Sequence, residues 1–285
     1  MGHESPAVLA LLALIGLAGG VGITAVGPGG VLPTIGMFLL TGLSPVGVAG
    51  TSIVTQVGTG VVGTAAYVRS GQLRQPATRR VAAILAAASV VGTPLGVLCN
   101  TLVSGRAFGL LLAVVVAATG VLVWVRELSA RRVPAGDASA RRLSTADPSA
   151  GSMPAGDADS GDADPAARLS PLVVAAVGLV VATGAGLFGI GGPMLSVPLL
   201  VACGLPLLPA LAAAQAQSVV IAGIGTVGYV LHGGIDWPLA VLVGVPELAG
   251  VLIGWRIAHA VPARQLKYTL AAILVALAPY LAIHG

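Results

Sequence analysis

Glu247 is the acidic residue that falls inside an apolar run, here the run at about 238 to 257. A carboxylate at bilayer depth is costly and by default marks a proton or ion path, so proton coupling is the role its chemistry suggests. Two uncharged polar clusters sit in other apolar runs: Thr51, Ser52, Thr55 and Gln56, then Gln215, Gln217 and Ser218. Their hydroxyls and amides can hydrogen-bond oxyanion oxygens in place of water, and with no mid-span Lys or Arg the anion can leave again. The same groups can instead bond back to their own helix or join helices together. Ahead of each cluster lies a glycine turn, Gly27-Pro28-Gly29-Gly30 and, 162 positions later, Gly189-Ile190-Gly191-Gly192. A turn that leads into a helix leaves N–H groups free at a positive dipole end, which is an anion site. Gly27, Gly29, Gly30, Gly189, Gly191 and Gly192 therefore join the two clusters as candidate substrate-binding residues. No catalytic residue, cofactor or metal is expected: there is no His pair at ligand spacing, no nucleophilic Ser elbow and no phosphate-loop Lys. His232 and Asp236 read as ordinary loop residues.

The elements that must carry these groups are apolar. Hydrophobic residues make up 56% of the chain and charged residues 8%, with a mean hydropathy of +0.99, so lipid is the solvent for most of it. Apolar segments fall at about 7 to 26, 31 to 42, 47 to 68, 81 to 101 and 107 to 126, and again at 172 to 190, 193 to 203, 209 to 231, 238 to 257 and 266 to 283. The spacing divides the chain into a first membrane repeat over 1 to 126, a linker over 127 to 170 and a second repeat over 171 to 285. The linker is rich in Ala, Asp, Ser, Pro and Gly, lacks hydrophobic periodicity, and reads as disordered. Cys99 and Cys203 lie within apolar runs and read as small buried hydrophobes. The first run is as long as a full span, which argues against a cleaved signal peptide. Scattered arginines without interleaved aromatics exclude nucleic acid as a partner.

A second block registers between the halves: Gly92-x-x-x-Gly96 with Arg106 matches Gly250-x-x-x-Gly254 with Arg264 at an offset of 158. Two matches in the same order indicate duplication. Basic residues gather at 69 to 80, in the linker and at 256 to 267, which puts those regions in the cytoplasm and both termini outside. On that count, 47 to 68 and its partner 209 to 231 cross in opposite directions, so the repeats are inverted. That is a carrier architecture, in which two halves can exchange conformation around a central site. Segments 31 to 42 and 193 to 203 are too short to span at ~1.5 Å per residue. Each reads as the return arm of a hairpin, with Gly19, Gly20 and Gly22 breaking the first long arm and Gly184, Gly186 and Gly189 the second. The two tips would meet near the midplane.

Several of these residues resemble the sulfite exporter TauE/SafE family, also called the toluenesulfonate uptake permeases. They are the Gly-x-Gly-Gly turns with Pro33 and Pro198 beyond them, Gly50-Thr51-Ser52 after a Gly-Leu loop, and Gly250 to Gly254 followed by Arg264, Leu266 and Lys267. The pattern departs at Pro28, at Ile190 and at Gln217-Ser218, where a Thr-Ser step is the counterpart. The resemblance implies a multi-pass carrier of the cytoplasmic membrane for sulfite, sulfoacetate or other organosulfonates, with another small inorganic or carboxylate anion as the alternative cargo. The expectation is thus an all-α integral membrane protein of two inverted repeats, each a broken or re-entrant hairpin plus three transmembrane helices. It works by alternating access, with a small anion and the lipid bilayer as partners and a homodimer admitted.

Overall fold

The computed structural model describes residues 5–25, 28–130 and 169–260, and all regular structure among them is helical. The first half contains α1 (Pro6–Ala25), α2 (Val31–Leu40), α3 (Pro45–Arg69), α4 (Pro76–Leu102) and α5 (Gly105–Ala130). The second contains α6 (Pro171–Phe188), α7 (Pro193–Ala202), α8 (Leu207–Leu231) and α9 (Trp237–Ala260). Seven of these are long and apolar enough to cross a bilayer, and the exceptions are α2 and α7, at 10 residues each. Ten residues rise only ~15 Å, half of a ~30 Å hydrocarbon core. The expected span 266 to 283, Gly27, most of the linker, and Arg264, Leu266 and Lys267 lie outside the described residues.

Local chemistry fixes the helix ends. Ser44 accepts the Gly47 N–H at 3.2 Å to cap α3, with Pro45 at its first turn, where a missing N–H costs nothing. Asp236 does the same for α9 by accepting the Leu239 N–H at 3.0 Å, so this loop residue serves as a helix cap. The α6 helix stops at Gly189, whose φ of +69° is left-handed and suits glycine. A Cβ there would also run into the Ala49 carbonyl of α3.

Two expectations need correction. Gly19, Gly20 and Gly22 do not break the first arm, nor do Gly184 and Gly186 break the second, since α1 and α6 run through them. Glycine costs only about 1 kcal/mol within a helix, and here it admits neighbours: Gly20 lies against the Glu247 backbone and Gly186 against Thr93. Cys99 is exposed and Cys203 half-buried, because an apolar run in a membrane helix has an outward face as well as a core face.

Packing pairs the halves reciprocally. Helix α1 lies along α9, and α6 lies along α4. Gly250 of α9 abuts Leu17 and Val21 of α1, while Gly92 of α4 abuts Leu179 and Thr183 of α6, the residues 162 positions on. Gly16 meets Val243 and its counterpart Gly178 meets Leu85, again at matching offsets. Small residues let these backbones approach closely where lipid supplies no hydrophobic drive between helices. Helices α3 and α8 complete the centre by packing on each other.

Polarity is distributed accordingly. Leucines and valines such as Leu14, Val91, Leu98, Val114, Val180 and Val245 are exposed, whereas Gln56, Ser89, Asn100, Gln215, Gln217 and Glu247 are buried. An apolar exterior around a polar interior is the arrangement a bilayer selects.

Candidate functional site

The centre is built around Gln56, which α3 holds between the two glycine turns. Its Nε2 donates to Glu247 Oε1 at 2.9 Å and reaches the Gly30 carbonyl at 3.4 Å. Its Oε1 accepts from the Thr59 hydroxyl at 3.2 Å. From the other side, a Cβ on Gly191 would lie 2.8 Å from Gln56 Oε1 and 3.5 Å from Ser218 Oγ. The Pro28–Gly30 turn packs directly on α7, so the tips of the two hairpins are neighbours.

Gly30 caps α2 and Gly192 caps α7, and neither helix start has a side-chain cap. Two short helices therefore present uncapped N-termini, with their partial positive charge, to one buried polar centre. Glu247 is fully buried there, and its Oε2 has no hydrogen-bond partner. Gln215 Nε2 is likewise buried without a partner, its Oε1 lying against Gly63.

The sequence-derived candidates divide into two groups. Gly30, Gln56, Gly191, Ser218 and Glu247 come together, with Gly192 beside the Ser218 N–H. The others are engaged elsewhere. Thr51 accepts the Asp236 N–H at 3.0 Å, and Ser52 pairs with Thr34 at 2.7 Å. Thr55 bonds back to the Ser52 carbonyl, Gly29 nests against Gly22 and Ile23 of α1, and Gly189 serves as the α6 stop.

Gln217 makes the mirror image of the Gln56 contact. Its Nε2 donates to Ser89 Oγ at 3.1 Å and to the Gly178 carbonyl at 3.3 Å, and its Oε1 takes the Ser196 hydroxyl. Ser89 is the repeat counterpart of Glu247, so the first half's amide meets a carboxyl and the second half's meets a hydroxyl. Thr34 and Ser196 were not singled out from sequence, yet they stand 162 positions apart on the two short arms, and that spacing would have found them. Asn100, which donates to the Leu187 carbonyl at 2.6 Å, carried no such signal.

Since Gln217 has both ends of its amide bonded, Gln217→Leu should lower stability by about 1–3 kcal/mol through the buried partners it strands. Thermal unfolding of the purified protein checks this. Unchanged stability with weakened anion binding would show that Gln217 binds the anion rather than holding the helices together.

Spanning helices with an apolar exterior, enclosing a polar centre where two uncapped helix starts meet, define a multi-pass α-helical membrane protein of transporter type. A family model described as Sulfite exporter TauE/SafE matches residues 12–281. The chain belongs to that family, one of membrane transporters for sulfite-type anions. Among curated proteins and solved structures no match was found.

Proposed function

We propose that the protein is a secondary transporter that carries one small sulfur-containing anion, such as sulfite, sulfoacetate or another organosulfonate, across the cytoplasmic membrane by alternating access with proton coupling at Glu247. The observation that carries this reading is the meeting of both glycine turns at Gln56, beside a buried carboxyl whose Oε2 is unpartnered. Glycine N–H groups and the starts of α2 and α7 supply directional donors to the anion, and Gly29, Gly30, Gly189, Gly191 and Gly192 shape the turns. Ser218, Gln56 and Gln215 supply neutral donors that bind without trapping. A proton on Glu247 removes negative charge from the centre as the anion arrives, so the two enter together.

Reciprocal packing of α1 on α9 and of α6 on α4 supports two inverted halves that exchange roles during the cycle. In this reading the halves are 1–126 and 171–285, the linker between them is cytoplasmic, and both termini face outward. A second copy of the chain is the protein partner this reading admits.

The test is a thermal-shift screen with sulfite, sulfate, thiosulfate, taurine and sulfoacetate, then uptake into proteoliposomes with and without a pH gradient. At least one anion should stabilise the protein and accumulate with saturation and counterflow. Non-saturating flux would indicate a channel, and stabilisation by none of them would remove the anion site.

A further inference from the structure

Gln56 hydrogen-bonds Glu247, beside which Thr55 also lies, and stands within contact distance of both hairpin tips; its amide has a donor end and an acceptor end. With Nε2 toward Glu247 Oε1 at 2.9 Å and the Gly30 carbonyl at 3.4 Å, the Oε1 end is turned to Thr59 and Gly191. This orientation suits a carboxylate, which only accepts. It also presents an acceptor toward the second glycine turn, where it repels an anion.

A proton on Glu247 reverses that logic. When the proton sits on Oε1, the oxygen that faces Gln56, that oxygen donates, and the acceptor it meets is Gln56 Oε1 once the amide rotates by half a turn. Rotation brings Nε2 round to the Gly191 side. The Thr59 hydroxyl can serve either orientation, because it both donates and accepts. The rotation breaks no covalent bond, and the sole chemical change is one proton gained by the carboxyl from solution.

We infer that the Gln56 amide is a proton-gated donor: protonation of Glu247 flips it, and the flipped Nε2–H becomes a hydrogen-bond donor to an oxyanion seated at Gly191 and the start of α7. The inference rests on the proposed proton-coupled carrier and adds the residue that links the proton to the anion. Among the described residues, the elements packed on Glu247 bring few other ionisable groups. Helix α1 carries none, α3 offers Tyr67 and the exposed Arg69 at its far end, and α9 itself adds Arg256 and His259.

Methanesulfonate is the suitable probe, because its charge is constant between pH 5 and 9. Its affinity, read by thermal shift in the purified full-length protein, should strengthen as pH falls. In Gln56→Leu that dependence should vanish and the affinity at low pH should drop about tenfold or more, as expected for one lost hydrogen bond to a charged group. Gln56→Asn, too short to span from Glu247 to Gly191, should behave like Gln56→Leu and guards against misfolding of the apolar variant. Infrared difference spectroscopy gives a readout independent of the anion. The protonated-carboxyl band that Glu247→Gln removes should persist in Gln56→Leu, displaced toward the frequency of a carboxyl without that partner.

Several results would overturn the inference: pH-dependent binding retained in both Gln56 variants, pH-independent binding in the parent, or an undisplaced carboxyl band. None of these touches the carrier reading, which fails separately if no anion binds or accumulates.

Discussion

Glu247→Gln should reduce anion uptake driven by a pH gradient to the level of empty liposomes while leaving a folded, membrane-inserted protein. The replacement keeps shape, and its carbonyl can still accept the Gln56 Nε2–H that Glu247 Oε1 takes at 2.9 Å. What it removes is the ability to gain and lose a proton. Its amide nitrogen would occupy the place of Oε2, which has no partner, so the stability cost stays within about 1–3 kcal/mol. Counterflow without a pH gradient is the informative control, since exchange of anion for anion need not move a proton. If gradient-driven uptake survives in Glu247→Gln, the carboxyl is a structural acceptor and coupling lies elsewhere.

The second large effect concerns the glycines that bring the halves together. Gly96→Val and Gly250→Val should each destabilise the protein by about 3 kcal/mol or more, enough to lose the monodisperse solubilised form. A Cβ at Gly96 collides with the Thr183 carbonyl and a Cβ at Gly250 with that of Leu17. Both obstacles are helix backbone, which cannot turn aside as a side chain can. Gly223→Ala is the matched control: its Cβ meets nothing within 4 Å, and better helix propensity should leave stability unchanged or raised by up to about 1 kcal/mol. Because each glycine belongs to one of the two registered Gly-x-x-x-Gly pairs and meets backbone of the helix it packs on, their effects on thermal unfolding should be similar. A mild effect at one and a severe effect at the other would show that the two seams bear unequal load.

Much of the layout follows from local pattern. Apolar runs gave helices such as Pro45–Arg69 and Leu207–Leu231 within a few residues of expectation, because burial in lipid demands a continuous helix of known length. The short arms were legible for the same reason. Glycine was harder to read. In sequence Gly20 and Gly189 look alike, but the first is a packing position in α1 and the second a left-handed stop. The difference lies in what each touches, Glu247 in one case and Ala49 in the other, and both contacts cross between elements distant in the chain.

The polar clusters show the same limit. Thr51, Ser52, Thr55 and Gln56 all belong to one helix, and spacing made them equal candidates. Their partners separate them: Thr51 holds the approach to α9, Ser52 meets Thr34, Thr55 folds back on the Ser52 carbonyl, and Gln56 reaches Glu247.

By itself the sequence determined an all-helical membrane protein, its repeat, its two short arms and the residue types available at its centre. These depend on hydrophobicity and glycine content, which are local and periodic. The tertiary structure decided that Gln56 of the first half meets Glu247 of the second while Gln217 meets Ser89. It also decided which glycine turns and which hydroxyls share that centre. Those outcomes depend on packing between helices far apart in the chain, where a hydrogen bond of 2.9 Å either closes or does not.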